Sequence, residues 1–546
     1  MGRRDSKPAR RAAPAVRPTP AVEHRARRVG GALAAAAIAG TPAVTLAPLW
    51  SVLVGALFGA LDLALAPPVS GPKDAAEFTL VLAFGGVAHP TGYPLYVLLG
   101  HPFVQALHAA GASWAYAANA WSAVGGGVAA GLLHALAARL VPPRAAPGRL
   151  ARFTLACLAT GVFALSPIWL FDAILAEVYT WHLAWVAGAS LFALAAFRRL
   201  AGRDPGHAII ARGAIAWGLI VGLGLAHHLT AVVVLAPMTV ALAIAVVRAR
   251  QPLLPIAVLA AVAALPPLSA YAFVAWRAFH PAGFQWELLE PTWSSIVAHV
   301  RGSEYADLLG HFAPDDVQSR LLRDYCWPVL FPALALSVVA VLRARGVERL
   351  ARAAFCAAAF SQTLVAFEYG VRDPSCYFEP AMALGLLAIP ALGADLAGRG
   401  SPRGDALALA AVASVLGVLA VVELPEMTST RAGTIEVDRR MRALWEKVPP
   451  GPGFLLWDHD MATTFQIYQR LEGRRPDLFA GSTMTLSWPP PRRAFARRYG
   501  FDPLAGLDPL TTARAARIPE NMSRQTPLPV RIFDLEHQRL VEVPKP

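Results

Sequence analysis

Long apolar runs separated by short polar breaks dominate the chain, with little of the strict alternation that marks a half-buried strand. Runs near 46–66, 114–140, 152–171, 178–197, 213–228, 229–247, 253–276, 326–342, 352–369, 378–397 and 404–423 approach the length of about 20 residues that crosses a hydrocarbon core. The predicted fold class is an all-α polytopic membrane protein with about 11 transmembrane helices. After Leu424 the pattern changes. FLLW (454–457) reads as a buried strand ending at Asp458, followed by an amphipathic helix through about Glu472 and a short strand near Leu478. That is a small α/β module, with a Pro- and Arg-rich tail of little periodicity behind it.

Arginines orient these runs. Arg144, Arg149 and Arg152, then Arg198, Arg199, Arg203 and Arg212, then Arg248 and Arg250, then Arg343, Arg345, Arg349 and Arg352, then Arg399 and Arg403 fall in every second loop. The positive-inside rule puts those loops in the cytoplasm. Residues 1–29 carry nine Lys or Arg against Asp5 and Glu23, too polar for a core, and read as a disordered basic cytoplasmic tail. If that tail is cytoplasmic, the chain crosses once between residues 30 and 113, and 93–110 reads as a re-entrant or interfacial helix. The domain reading is a tail over 1–29, a transmembrane domain over 30–423 and an extracytoplasmic domain over 424–546. The protein is expected in the cell (inner) membrane, amino terminus inside and carboxyl terminus outside.

Composition supports the class and narrows the function. Of 546 residues 56% are hydrophobic and 16% charged, with mean hydropathy +0.46, too apolar for a soluble chain. The net charge of +13 sits largely in cytoplasmic loops and tails, so nucleic acid is not an expected partner. Cys157, Cys326, Cys356 and Cys376 show no metal-binding spacing; a Cys326–Cys376 disulfide is an outside alternative.

This topology gathers the polar residues on the non-cytoplasmic face. DAAEFTLVLAFGGVAHPTGYPLY (74–96) holds Asp74, Glu77, His89 and Tyr93; Asp172, Glu177 and Tyr179 follow the third run; His227 and His228 lie between the fifth and sixth; Tyr369, Arg372 and Asp373 lie in a short outer segment. Ionisable groups at a membrane surface are costly unless used. Bland readings stand beside this one. Asp74 and Glu77 share a helical face, and acids also favour a helix start. His89 and Pro90–Pro94 could be a plain turn, His227 and His228 a helix end, and Arg372 with Asp373 a surface pair. Gly127xxxGly131 and Gly218xxxGly222 read as packing faces. Asp458, His459 and Asp460 read as solvated.

Five segments in register carry a resemblance. APPVSGPKDAAEF, AHPTGYPLY with Asn119, Ser122 and Ala123, AILAEVYTWH, GLGLAHHLT and FEYGVRDPSCYFEPA, with FLLWDHDMATTFQIYQRLEGRRPD beyond the last run, resemble the bacterial membrane proteins related to protein O-mannosyltransferases. Ala75, Thr91 and His227 depart from the group's usual residues, leaving the carboxylates in place. The resemblance implies a GT-C-like fold and an inverting glycosyltransferase. It would move a sugar, mannose being one candidate, from a polyprenyl-phosphate donor to an extracytoplasmic hydroxyl of protein, glycan or lipid. An attacking hydroxyl needs a general base, for which Asp74 is the first candidate and Glu77 the second. A leaving lipid phosphate needs a cationic or multi-donor clamp, for which Arg372, His89 and His228 are the local supply. Tyr93, Glu177, Tyr179, Tyr369 and Asp373 complete the candidate substrate site. No metal or other cofactor is expected. A transporter or flippase, which would use midplane groups such as Asp62 and His134, and a noncatalytic envelope-assembly scaffold are the alternatives.

Overall fold

The computed structural model describes residues 47–546 except 73, 142–148, 203–205, 372, 397–401, 508–514 and 546. The tail expected over 1–29, the start of the first run and Arg372 lie outside the described residues. The chain is mostly helical, opening with α1 (Ala47–Leu65), α2 (Ala75–Phe84), α3 (Pro94–Ala109) and α4 (Trp114–Leu140). Next come α5 (Arg149–Ala164), α6 (Pro167–Ile174), α7 (Tyr179–Leu200), α8 (His207–His227), α9 (Ala231–Arg248), α10 (Leu253–Leu268), α11 (Tyr271–Phe279) and α12 (Trp293–Arg301). The series closes with α13 (Trp327–Arg343), α14 (Gly346–Phe367), α15 (Ser375–Leu386) and α16 (Pro402–Trp445). Among the described residues 10 helices are long and apolar enough to cross a membrane, or 11 if α5 and α6 count as one. Neither α2 nor α3 is among them.

Local chemistry explains where the structure departs from the apolar runs. The run expected as one span at 152–171 is bent by 70° between α5 and α6. Ser166 accepts the Trp169 N–H and Pro167 sits at the first position of α6, so a fresh helix start interrupts the ladder. The run expected to end at 423 continues in α16 to Trp445, because Met427, Met441, Leu444 and Trp445 supply a buried helical stripe beyond the polar boundary. The two small-residue faces pack as expected. A Cβ on Gly127 would lie 2.8 Å from Gly59 Cα of α1, and one on Gly218 would overlap the Ala260 carbonyl of α10. The four cysteines are free.

The carboxyl-terminal module contains β1 (Gly453–Trp457), β2 (Leu478–Ser482), β3 (Val530–Asp534) and β4 (Arg539–Glu542), in the spatial order β2-β1-β3-β4. β1 pairs in parallel with both β2 and β3, and β3 with β4 antiparallel. β1 and β2 match the sequence reading. The expected amphipathic helix is instead a 3-10 turn, one α turn and a π segment over 460–471, which keep Phe465 and Tyr468 buried. The tail is not aperiodic: Pro489 at a helix start and Gly500 at its end delimit α17 (Pro489–Tyr499), α18 (Ile518–Gln525) follows, and β3 and β4 complete the sheet. Those strands are four or five residues long, too short for periodicity to expose.

Two cores position the site. One lies among the long helices and includes Phe163, Trp169, Phe197, Met238, Phe355 and Phe378. In the other, Phe78 of α2 and Tyr96 of α3 join Trp445, Phe465, Tyr468 and Phe533 from the end of α16 and the module. Every residue from Ala75 to Ala83 is buried, so α2 carries apolar residues on every side around Glu77, its one charged residue.

Candidate active site

α2 begins at Asp74, whose side chain is 48% exposed, and one turn later presents Glu77, whose side chain is 8% exposed. Glu77 Oε1 accepts the His89 backbone N–H at 2.6 Å and lies 3.1 Å from His89 Nδ1. Nδ1 therefore carries the hydrogen in that bond. His89 Nε2 lies 3.0 Å from the Tyr93 hydroxyl and 3.8 Å from Asp74 Oδ2. Burial alone would lower the pKa of His89, but the Glu77 and Asp74 carboxylates outweigh it and raise the ring from 6.5 to about 9. At neutral pH the His89 ring is therefore protonated between the two acidic side chains, of which Asp74 is the one facing solvent.

Glycines hold the turn that carries His89. Gly85 ends α2 at φ +60° and Gly92 adopts φ +82°, where a Cβ would sit 3.2 Å from Val274 and 3.3 Å from His299. Over this turn lies the long loop between α11 and α12: the Trp286 N–H donates to the Val87 carbonyl at 2.9 Å, and a Cβ on Gly86 would overlap the Phe284 carbonyl. Trp286 and Tyr305 stand edge-on to His89, with ring centroids 5.9 and 6.4 Å away. The carboxyl-terminal module braces that loop from outside. Gln466 donates to Glu287 at 3.1 Å, Arg470 to the Gly283 carbonyl at 2.5 Å and Arg493 to Glu290 at 2.8 Å.

The other candidate residues extend inward from Tyr93. Its ring is 5.2 Å from His228, which is 5.8 Å from Tyr179. The Tyr179 hydroxyl donates to that of Tyr377 at 3.2 Å, and Tyr377 stands edge-on to Tyr369 at 4.9 Å. Glu177 is 1% exposed and held by its backbone, which both donates to and accepts from the Ser122 hydroxyl at 2.9 Å. Asp373 accepts from Ser375 at 3.1 Å, beside the start of α15. A line of rings thus joins His89 and Tyr93 to Tyr179, His228 and Tyr369, with Glu177 under it. Trp286, Tyr305, Tyr377 and His182 share this site but are not among the candidate site residues read from the sequence. Tyr377 and His182 lie inside the FEYGVRDPSCYFEPA and AILAEVYTWH segments, whereas nothing in the pattern of the long loop distinguishes Trp286, and nothing after α12 distinguishes Tyr305.

Other polar groups lie apart from this line. Asp62 of α1 faces Gly126, and His134 bonds Ser51 at 2.9 Å two turns further along α4, about 12 Å away along the helix. Asp458 accepts from Thr483, and His459 caps the following turn through Met461; the Asp460 side chain lies outside the described residues. Asp74, Glu77 and His89 each present one ligand-type atom, all within 4.8 Å of one another, and are the described residues grouped closely enough to hold a cation.

Comparison with known families adds to this geometry. Residues 74–251 match the model of the protein O-mannosyl-transferase TMEM260 N-terminal domain. The match begins at Asp74 and takes in Glu77, His89, Tyr93, Glu177, Tyr179 and His228, bearing out the resemblance read from the motifs. Tyr369, Arg372, Asp373 and the carboxyl-terminal module lie beyond the TMEM260-type region. No curated protein matches the chain. Among solved structures, it resembles the archaeal oligosaccharyltransferase AglB from Archaeoglobus fulgidus, solved with an inhibitory peptide and a dolichol-phosphate. The identity is 14% over 78% of this chain and 64% of AglB, with TM-score 0.45; the chain thus spans under two thirds of AglB's length. It also resembles ArnT from Cupriavidus metallidurans bound to undecaprenyl phosphate, at 14% identity over 81% of this chain and 91% of ArnT, with TM-score 0.48.

Proposed function

We propose that this protein is an inverting GT-C-type glycosyltransferase that takes a sugar from a polyprenyl-phosphate donor and delivers it to an acceptor hydroxyl outside the cytoplasm. The observation that carries the reading is the Asp74–His89–Glu77 row at the start of the TMEM260-type region. Asp74 is the solvent-facing carboxylate and the general base. Glu77, buried with Oε1 facing two His89 nitrogens, is the orienter. The acceptor oxygen forms a bond to the anomeric carbon as the bond from that carbon to the phosphate oxygen breaks. The hydroxyl proton passes to Asp74, and the electron pair leaves on the lipid phosphate. One displacement inverts the anomeric centre, and no oxidant or reductant is needed.

The leaving phosphate requires cations. His89 supplies one, and Arg277 and Arg301 others; neither arginine makes a hydrogen bond or ion pair among the described residues. Arg277 stacks over Trp276 at 4.4 Å, and Arg301 edges an apolar groove of about 640 Å³ lined by Tyr271, Trp276, Phe279, Trp293 and Ile296. That groove suits an isoprenoid chain. The reading needs no metal, since the nitrogens of His89 already face Glu77 and Tyr93. Purified protein given undecaprenyl- and dolichyl-phosphate hexoses should release lipid phosphate, seen by mass spectrometry, and form the inverted linkage, seen by NMR. Absence of binding and turnover with every such lipid contradicts the reading and favours a transporter or scaffold.

A further inference from the structure

Three imidazoles meet below the Asp74 row, where the amino-terminal end of α7 faces the carboxyl-terminal end of α8. His182 lies in the first turn of α7, His227 ends α8, and His228 follows it. The His182 ring centroid is 5.0 Å from His228 and 6.2 Å from His227. All three are buried, at 2, 6 and 5% exposure in chain order. Tyr93 lies 5.2 Å from His228, so the cluster continues the ring line that starts at His89.

The hydrogen bonding of this cluster is incomplete. Both ring nitrogens of His182, both of His227 and Nε2 of His228 have no hydrogen-bond partner among the described residues. His228 Nδ1 accepts the Thr230 backbone N–H at 3.3 Å and lies 2.7 Å from the Thr230 hydroxyl, which can donate to the same nitrogen; with Nδ1 the acceptor, Nε2 of the neutral ring bears the hydrogen and has no acceptor among the described residues. A buried polar group left unmet costs about 1–3 kcal/mol, so three such side chains together are a poor way to fill a core. Their position beside the proposed reaction centre points to a ligand that supplies the missing partners.

The donor–acceptor character selects that ligand. A neutral imidazole offers one donor and one acceptor, which matches hydroxyl groups; a phosphate only accepts. Among the described residues, the ring contacts and hydrogen bonds of the three histidines involve aromatic rings and Thr230 and no arginine or lysine, which disfavours an anion. Tyr93 and Tyr179 add faces against which the C–H groups of a sugar ring can pack.

We propose that His182, His227 and His228 form the subsite for the hydroxyls of the donor's sugar ring and set which uncharged hexose is transferred. The inference rests on the glycosyltransferase reading and adds to it the residues that choose the sugar. It is tested with full-length protein in nanodiscs, using undecaprenyl phosphate, undecaprenyl-phosphate mannose and undecaprenyl-phosphate glucose as probes. His182→Phe and His228→Phe should weaken binding of the preferred sugar-bearing lipid about tenfold, a loss on the scale of one hydrogen bond. They should also flatten the choice between mannose and glucose and leave binding of undecaprenyl phosphate within about twofold. His228→Gln, which keeps a donor, should recover part of the preference, and His182→Asn gives the same readout should a phenylalanine variant not fold. Unchanged sugar preference in the variants overturns the inference, as does an equal loss for undecaprenyl phosphate, which would make the histidines a phosphate site. Wild-type protein that binds none of the three lipids more tightly than phosphatidylglycerol overturns the glycosyltransferase reading itself.

Discussion

Replacing Glu77 with glutamine isolates the electrostatic core of the site. The glutamine can still accept the His89 backbone N–H but removes the nearest negative charge from the ring. In the folded protein the ring titrates at about 9 against an ordinary 6.5, a difference equivalent to about 3 kcal/mol. The His89 side chain is only 10% exposed, so solvent screening removes little of this. Because the folded-state pKa is raised, the folded protein binds more protons than the unfolded chain between the two values. Stability from this source is therefore complete below about pH 6.5 and is lost as pH rises through about 9. Thermal unfolding of the purified protein in detergent, followed by tryptophan fluorescence from pH 6 to 9.5, should show the wild-type midpoint falling by a few degrees. Glu77→Gln should start lower and fall less, since Asp74 at 3.8 Å and the more weakly acting Glu304 are left to hold the proton on the ring. An identical pH slope in the two proteins would refute the Glu77–His89 pairing.

Three further outcomes follow from the same geometry. In a cysteine-free background, Ala313→Cys between α12 and α13 should react with an impermeant thiol reagent in intact cells while Ala201→Cys between α7 and α8 should not; the reverse pattern overturns the orientation. Arg277→Ala should raise KM for the lipid donor roughly tenfold or more, as expected for losing a charged hydrogen bond. If only Arg372→Ala or Arg372→Lys does so, the phosphate is held at the outer segment, where a guanidinium fork cannot be replaced by lysine. Prolonged chelation should leave turnover unchanged, and loss of activity restored by a divalent cation would turn Asp74, Glu77 and His89 into its ligands.

Much of this fold was legible because a bilayer imposes a single requirement, a long apolar run, that survives without any knowledge of packing. The errors fall where short-range chemistry overrides that pattern. Ser166 and Pro167 restart a helix inside an apolar run, and α16 passes a polarity boundary because its buried stripe does not stop there. The candidate site was legible in Asp74, Glu77, His89 and Tyr93 because the turn between α2 and α3 brings near neighbours in sequence together. Partners contributed from a distance were not. Trp286 reaches His89 from a loop whose course depends on the contacts of Gly86 and Val87, Tyr305 reaches it from the 3-10 turn after α12, and β3 enters the sheet beside β1 after more than 70 residues of intervening chain.

The central claim is that Asp74 takes the acceptor's proton, and Asp74→Asn tests it with the least structural change. The substitution keeps size and hydrogen-bonding capacity at a side chain that is half exposed, so the protein should insert and fold, melting somewhat below the wild type because His89 loses one of the carboxylates that hold its proton. Transfer from a polyprenyl-phosphate hexose, measured in purified protein over the first few per cent of reaction, should fall by about 10² to 10⁴. Binding of the same lipid should change by less than about twofold, because the base contacts the acceptor and not the donor. Retention of wild-type turnover by folded Asp74→Asn protein would contradict the account and move catalysis to another carboxylate.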